Sequence, residues 1–143
     1  METFEIPGRL PGMNEIITAA KSHYGKYSSM KKKYTKLVVD SCRKIGPHNS
    51  VYLEITWYVP NLKRDPDNIA AGVKFIFDGL VDAGVIPKDT IAYNRGWKND
   101  DFILDRDNPR VVVKIFERGK PLDLKKYGKK SKKKKKKKKR VWF

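Results

Sequence analysis

The sequence predicts a mixed α/β domain, a small mixed β-sheet packed with helices, and three observations carry that expectation. Val51–Val59 reads VYLEITWYV, with Val, Leu, Ile, Trp and Val on one face and Tyr, Glu, Thr and Tyr on the other, the period of two that marks a half-buried strand. Arg110–Glu117, RVVVKIFE, reads as a second, buried strand. Apolar residues recur at helical spacing at Tyr34, Leu37, Val38, Ser41, Cys42 and Ile45, and again at Ile69, Val73, Ile76, Phe77 and Leu80. At 143 residues and 39% hydrophobic, the chain has the length and the apolar content for one modest core, hence a single domain.

Taken in order, residues 4–6 predict a short strand closed by Pro7-Gly8, and the following LPGMNE is too rich in Pro and Gly to extend it. Asn14 then leads the apolar pair Ile16-Ile17, either as a helix cap or as an amide facing a site. Residues 21–33, KSHYGKYSSMKKK, interleave five lysines with two tyrosines and predict a mobile loop, in which Lys31 and Lys32 can meet phosphates. A helix is expected over 31–45, stopped by Gly46-Pro47, with its basic face outward. After the Val51–Val59 strand, Pro60-Asn61 breaks the chain. A helix then starts at Pro66 and fades at Ala83-Gly84, residues 90–98 look strand-like, and 99–108 read as an acidic loop. Neither His23 nor His48 suggests a histidine site, and Cys42, the one cysteine, reads as a buried structural thiol.

The net charge of +17 is unevenly spread. Residues 125–143 hold 13 of the 33 basic residues and none of the 16 acidic ones, which leaves 20 against 16, or +4, on residues 1–124. A run of like charge repels itself and buries nothing, so the reading is a folded domain over 1–124 and a disordered polylysine tail over 125–143. That tail either adds salt-sensitive affinity for phosphates or is simply solvated. The start, METFEIPGRLPG, lacks the pattern of a secretory signal and no run of about 18 apolar residues occurs, so a cytoplasmic protein is expected.

Residues 63–89, KRDPDNIAAGVKFIFDGLVDAGVIPKD, concentrate the chemistry. Pro66 suits a first helical position and Asp65 the cap before it, so the acids here can be no more than helix-starting residues. On a continuous helix, Lys74 and Asp78, seven and eleven residues beyond Asp67, return to within roughly 20° of it and share its stripe. Asp65, Asp67 and the distant Asp89 offer the oxygen donors that Mg²⁺ prefers. A lysine beside them would stabilise charge developing on a phosphodiester. The acids at 100, 101, 105 and 107 lack the glycine and terminal glutamate of an EF-hand and read as solvated.

These residues resemble the RusA-type Holliday-junction resolvases, crossover-junction endodeoxyribonucleases of phages and prophages. The resemblance rests on Lys63-Arg64-Asp65-x-Asp67-Asn68, on Lys74 four residues before Asp78 in Phe77-Asp78-Gly79-Leu80, and on Ala83-Gly84 with Asp89 eleven residues after Asp78. IPGRLPGMNE, Met30-Lys31-Lys32 and NPRVVVKIFE extend it over about residues 3–118. It implies that Asp65, Asp67 and Asp89 hold Mg²⁺ and are catalytic, that Lys74 assists, and that Arg64 contacts DNA; Lys63, Asn14, Lys31 and Lys32 are read as further DNA contacts. It also implies a homodimer nicking two strands of a four-way junction, in recombination and repair. Two departures are visible: the interval from Asp67 to Lys74 is three residues longer than the shorter family pattern, and Lys88 stands where that pattern has a second acid. A nuclease preferring flaps or other branches and a non-catalytic basic DNA-binding protein are the alternatives.

Overall fold

The computed structural model describes residues 1–121, so the predicted boundary at 124 and the tail over 125–143 lie outside the described residues. Eight elements follow in the order β1 (Glu2–Pro7), α1 (Met13–Lys21), α2 (Lys26–Ser41), β2 (Val51–Val59), α3 (Pro66–Ala70), α4 (Val73–Asp82), β3 (Asn94–Leu104) and β4 (Arg110–Glu117). The fold is mixed α/β, a single small domain. Its one sheet has the order β1-β4-β2-β3, with β4 antiparallel to both β1 and β2 and β3 parallel to β2.

β2 and β4 have the predicted bounds, because a strict apolar alternation leaves one register in which one face is buried. Leu53, Ile55, Val113 and Ile115 are fully buried against Phe75, Ile76 and Leu80 of α4 and Val38 of α2. The helices meet closely: a Cβ on Gly79 would lie 2.3 Å from Val38 Cγ1 and 2.5 Å from Val38 Cβ. Glycine at 79 therefore sets the α2–α4 spacing. Cys42 is buried, as expected, and burial pushes its thiol up against a weaker opposing backbone bond.

Four expectations need correction. The turn around residues 10–15 already contains a helix: α1 starts at Met13 with Gly12 as its cap, Gly12 N–H donates to Glu15 Oε1 (3.3 Å), and Asn14 lies inside the first turn instead of capping it. The loop over 21–33 is mostly helix, because Tyr27 and Met30 continue the Tyr34–Val38 apolar stripe by one turn and lysines tolerate a helix well. α2 also stops earlier than Gly46, capped by Cys42, with Ile45 N–H returning to Cys42 O (3.0 Å).

Thirdly, the expected helix from Pro66 is two helices, broken at Ala71-Gly72. Leu10 seats there: a Cβ on Gly72 would stand 2.9 Å from Leu10 Cβ. At the junction the bonds tighten to three-residue spacing, Lys74 N–H on Ala71 O (3.3 Å) and Phe75 N–H on Gly72 O (3.0 Å), so the uniform α-helical spacing assumed between Asp67 and Lys74 does not hold, while Lys74 and Asp78 keep their shared face on α4. Lastly, the acidic loop over 99–108 is largely β3, and 90–93 is turn instead of strand. β3 is an edge strand, and its charges protect an unpaired edge, which makes its composition that of a loop.

Candidate functional site

The β2–β3 register decides where the site residues lie. β2 carries the chain from Val51 to Val59, and its neighbour β3 runs parallel from Asn94, opposite Val51, to Leu104, opposite Val59. The connection between them therefore leaves at the Val59 end, crosses the sheet as α3 and α4, and returns at the Val51 end.

Asp65 and Asp67 belong to the departing end. Asp65 caps α3 and Pro66 takes its first position, as the sequence predicts, yet the Asp65 side chain makes no capping hydrogen bond. Both acids are exposed, and among the described residues neither carboxylate has a hydrogen bond or ion pair. Arg64, half-buried, donates from Nη1 to Leu10 O (3.3 Å) and lies 3.7 Å from Glu15 Oε1. Burial, and then the neighbouring Arg9, pull its guanidinium below its ordinary value against the opposing pull of Glu15. Lys63 is exposed, its N–H donating to Asn61 Oδ1 (3.0 Å). Asn14 presents its side chain to solvent while its N–H donates to Asn68 Oδ1 (3.0 Å). Asn68 is the joint between α1 and α3, since a Cβ on Gly12 would come within 2.5 Å of Asn68 Oδ1.

Asp89 belongs to the returning end. Its Oδ1 accepts from Asn94 Nδ2 (2.7 Å), and Asn94 Oδ1 in turn accepts from Gly96 N–H (2.9 Å), which fixes which way the amide faces. Asp89 borders a groove of about 640 Å³ between α2 and α4. Lys31, Lys32 and Lys36 of α2 line it with Asp78 and Asp82 of α4. Lys31 Nζ lies 3.9 Å from Asp78 Oδ2, an oxygen that is buried and has no hydrogen-bond partner, as is the hydroxyl of Thr35 on the facing wall.

Lys74 stands one helical turn before Asp78, with its Nζ 6.0 Å from the centroid of the Tyr27 ring. The Tyr27 hydroxyl holds the ammonium above its ordinary range, and Asp78 and Asp89 add to this against the opposing effect of burial. Asp78, Asp89, Lys31 and Lys32 thus line one groove, and Lys74 feels the charge of the two acids without lining it, whereas Asp65, Asp67, Lys63, Arg64 and Asn14 are not among the lining residues. Thr35 and Asn94 were not singled out from sequence; Asn68 stood in the family motif without a role of its own, and Tyr27 was one of the two tyrosines of the predicted loop.

The donors suit Mg²⁺ by type, being hard carboxylate oxygens, and an unpartnered buried oxygen such as Asp78 Oδ2 is a place for positive charge. Their spacing within one chain does not: among the described residues, no three of His, Cys, Asp and Glu are placed to hold a metal ion. Asp105, in the acidic segment read as solvated, is committed to Arg110 (2.8 Å), whose bond holds its carboxyl below the usual range.

No protein-family profile matches this chain, and no curated protein sequence is similar to it. Among the described residues no helix is long and apolar enough to cross a membrane.

Proposed function

We propose that the protein is an endodeoxyribonuclease that hydrolyses phosphodiester bonds in branched DNA, with the four-way junction as its substrate. The observation that carries this reading is one groove in which Lys31, Lys32 and Lys36 face Asp78, Asp82 and Asp89, with Lys74 in the field of Asp78 and Asp89. Lysines along one helix neutralise successive phosphates, and α2 offers Lys32 and Lys36 one turn apart, about 6 Å along the axis. Arg64 and Lys63, beside the two unengaged acids, extend the basic surface at the other end of the crossover.

In hydrolysis, water adds to phosphorus as the bond to the leaving sugar oxygen breaks, and negative charge builds on the phosphoryl oxygens. The Lys74 ammonium, near Tyr27 and in the field of Asp78 and Asp89, offsets that charge. Asp89, oriented by Asn94, presents a fixed carboxylate to the same region. Mg²⁺ is the cofactor implied by the resemblance, and such an ion orients water and neutralises phosphate charge when bound. The resemblance makes Asp65, Asp67 and Asp89 the residues that would hold it. A homodimer would supply the two active sites that two symmetric nicks require.

The competing reading is a basic protein that binds branched DNA without cutting it. Asp89→Asn separates the two: the nuclease reading expects cleavage to fall at least 100-fold while gel-shift affinity for a four-way junction stays within a few-fold of wild type. A wild-type protein that binds junctions in Mg²⁺ and leaves them uncut contradicts it.

A further inference from the structure

We propose that the open face of the sheet binds an unpaired strand of nucleic acid, whose bases stack on Tyr52 and Phe116 while Lys114 and Arg118 meet its phosphates. The site is separate from the α2–α4 groove, and it stands whether or not the chain cuts DNA.

The helices pack on one face of the sheet. Along β2 and β4, Leu53, Ile55, Val113 and Ile115 are fully buried beneath them, and alternate residues project from the other face. Tyr52, Tyr58, Val112 and Phe116 of that face are only partly buried, and among the described residues no helix covers them. A sheet face turned to water is ordinarily polar, yet here two aromatic rings stand side by side. Tyr52 is directly opposite Phe116 on the neighbouring strand, which sets their Cα atoms about 5 Å apart. The Arg118 guanidinium lies over the Tyr52 ring, 4.6 Å from its centroid. Rings and guanidinium planes on a four-stranded sheet are platforms on which two or three unpaired bases stack. A duplex keeps the faces of its bases inside its own stack, so the rings select an unpaired strand.

Charge divides this face into two ends. At the Val51 end, Lys114 and Arg118 have no acidic partner among the described residues, and Lys98 shares Glu54 at 3.5 Å. Three cations thus stand against one acid. Glu2 and Glu117, also at this end, project from the packed face and are engaged by His48. At the Val59 end the Tyr58 ring is already covered, by Arg110 at 3.7 Å. Arg110 is held in turn by Asp105 (2.8 Å) and Glu5 (4.0 Å), and Asp100 accepts from Thr56 (3.5 Å). Acids outnumber cations there, so the strand is placed at the Val51 end. That is also the end at which Asn94 holds Asp89.

Fluorescence anisotropy of the full-length chain tests this, with labelled oligo-dT and oligo-rU strands of about twelve nucleotides and a blunt duplex of equal length. A salt series removes the electrostatic part of binding, that of the basic C-terminal residues included, and leaves the stacking part. Tyr52→Leu and Phe116→Leu keep apolar bulk and remove the ring. Each is expected to weaken single-strand binding at raised salt by about 5-fold or more, with duplex affinity and melting temperature nearly unchanged. Tyr52→Phe and Phe116→Trp keep a ring and should keep the affinity, which separates loss of stacking from loss of fold. The strand bound more tightly, deoxy or ribo, names the partner. A wild-type protein that prefers the duplex at raised salt overturns the proposal, as does a double leucine variant that binds the single strand like wild type. If that variant keeps strand affinity and instead changes the sedimentation coefficient, the face belongs to a second copy of the chain and the proposal fails. Cleavage is read separately, so none of these outcomes decides the nuclease reading.

Discussion

Asn94 Nδ2 donates to Asp89 Oδ1 at 2.7 Å, and the amide that makes this bond is itself locked by Gly96 N–H on its oxygen. A carboxylate held this way has one orientation to offer. Removing such a supporting bond from a ligating or catalytic carboxylate costs about 10–100-fold in metal affinity or activity. Asn94→Ser keeps a short oxygen for Gly96 N–H and loses the donor to Asp89. Junction cleavage is expected to fall by about that factor with the melting temperature nearly unchanged, as followed by single-turnover kinetics and calorimetry.

The α2–α4 crossing is set by Gly79 against Val38. Gly79→Ala inserts a methyl where 2.3 Å separates it from a buried side chain, and overpacking of this kind costs about 1–3 kcal/mol. Urea denaturation should show that loss, and Val38→Ala combined with Gly79→Ala should recover part of it. The groove lies between these same helices, so the single variant is also expected to weaken DNA binding.

The same crossing shows how much of the fold was legible in the sequence. β2 and β4 could be read to the residue because alternating burial admits one register. The FDGL glycine was visible, but its reason, the closeness of Val38, lies in the tertiary contact. Tyr27 and Met30 were hidden among lysines that looked like a loop, and β3 was hidden by edge charges. The α3–α4 break lies against Leu10, some 60 positions away in the chain, and no local pattern announces that contact. Within the candidate site, spacing put Lys74 and Asp78 on one helix face, whereas Asp89 entered as a distant carboxylate and through the family resemblance. The separation of Asp65 and Asp67 from Asp89 follows from β3 being parallel to β2, which the sequence did not express.

His48 sits between two strands, with Nε2 at 2.6 Å from Glu2 Oε1 and Nδ1 against Glu117 Oε2. A neutral imidazole has one N–H, so both contacts are hydrogen bonds only in the imidazolium. Burial works to lower the His48 pKa, and the bonds and charges of Glu117 and Glu2 outweigh it, raising it above 6.5. Burial also works to raise Glu117, and His48 and the Asn49 N–H outweigh that, holding it below 4.5. The histidine contribution is complete below about pH 6.5 and is lost as pH climbs through the raised folded value. The Glu117 contribution is present above about 4.5 and is lost as pH falls through the depressed one. The clasp is therefore strongest between those limits. Wild-type stability should decline from about pH 6 to pH 9 relative to His48→Gln in paired urea titrations.

Lys31, Lys32 and Lys36 line the groove, and each phosphate they neutralise contributes about 0.9 to the slope of log affinity against log salt for duplex arms. Changing all three to Gln is expected to flatten that slope by roughly 2–3 and to weaken junction binding at every sequence alike. A loss confined to particular sequences would assign these lysines to base contacts instead. Fluorescence anisotropy over a salt series reads both outcomes.

Catalysis on branched DNA is tested by cleavage of synthetic four-way junction, flap and linear duplex substrates side by side in Mg²⁺. Paired, symmetric nicks in the junction are expected, with little cutting of the linear duplex and no product without the metal or with Asp89→Asn. Equal cutting of all three substrates, or a junction bound tightly and left whole, would contradict it.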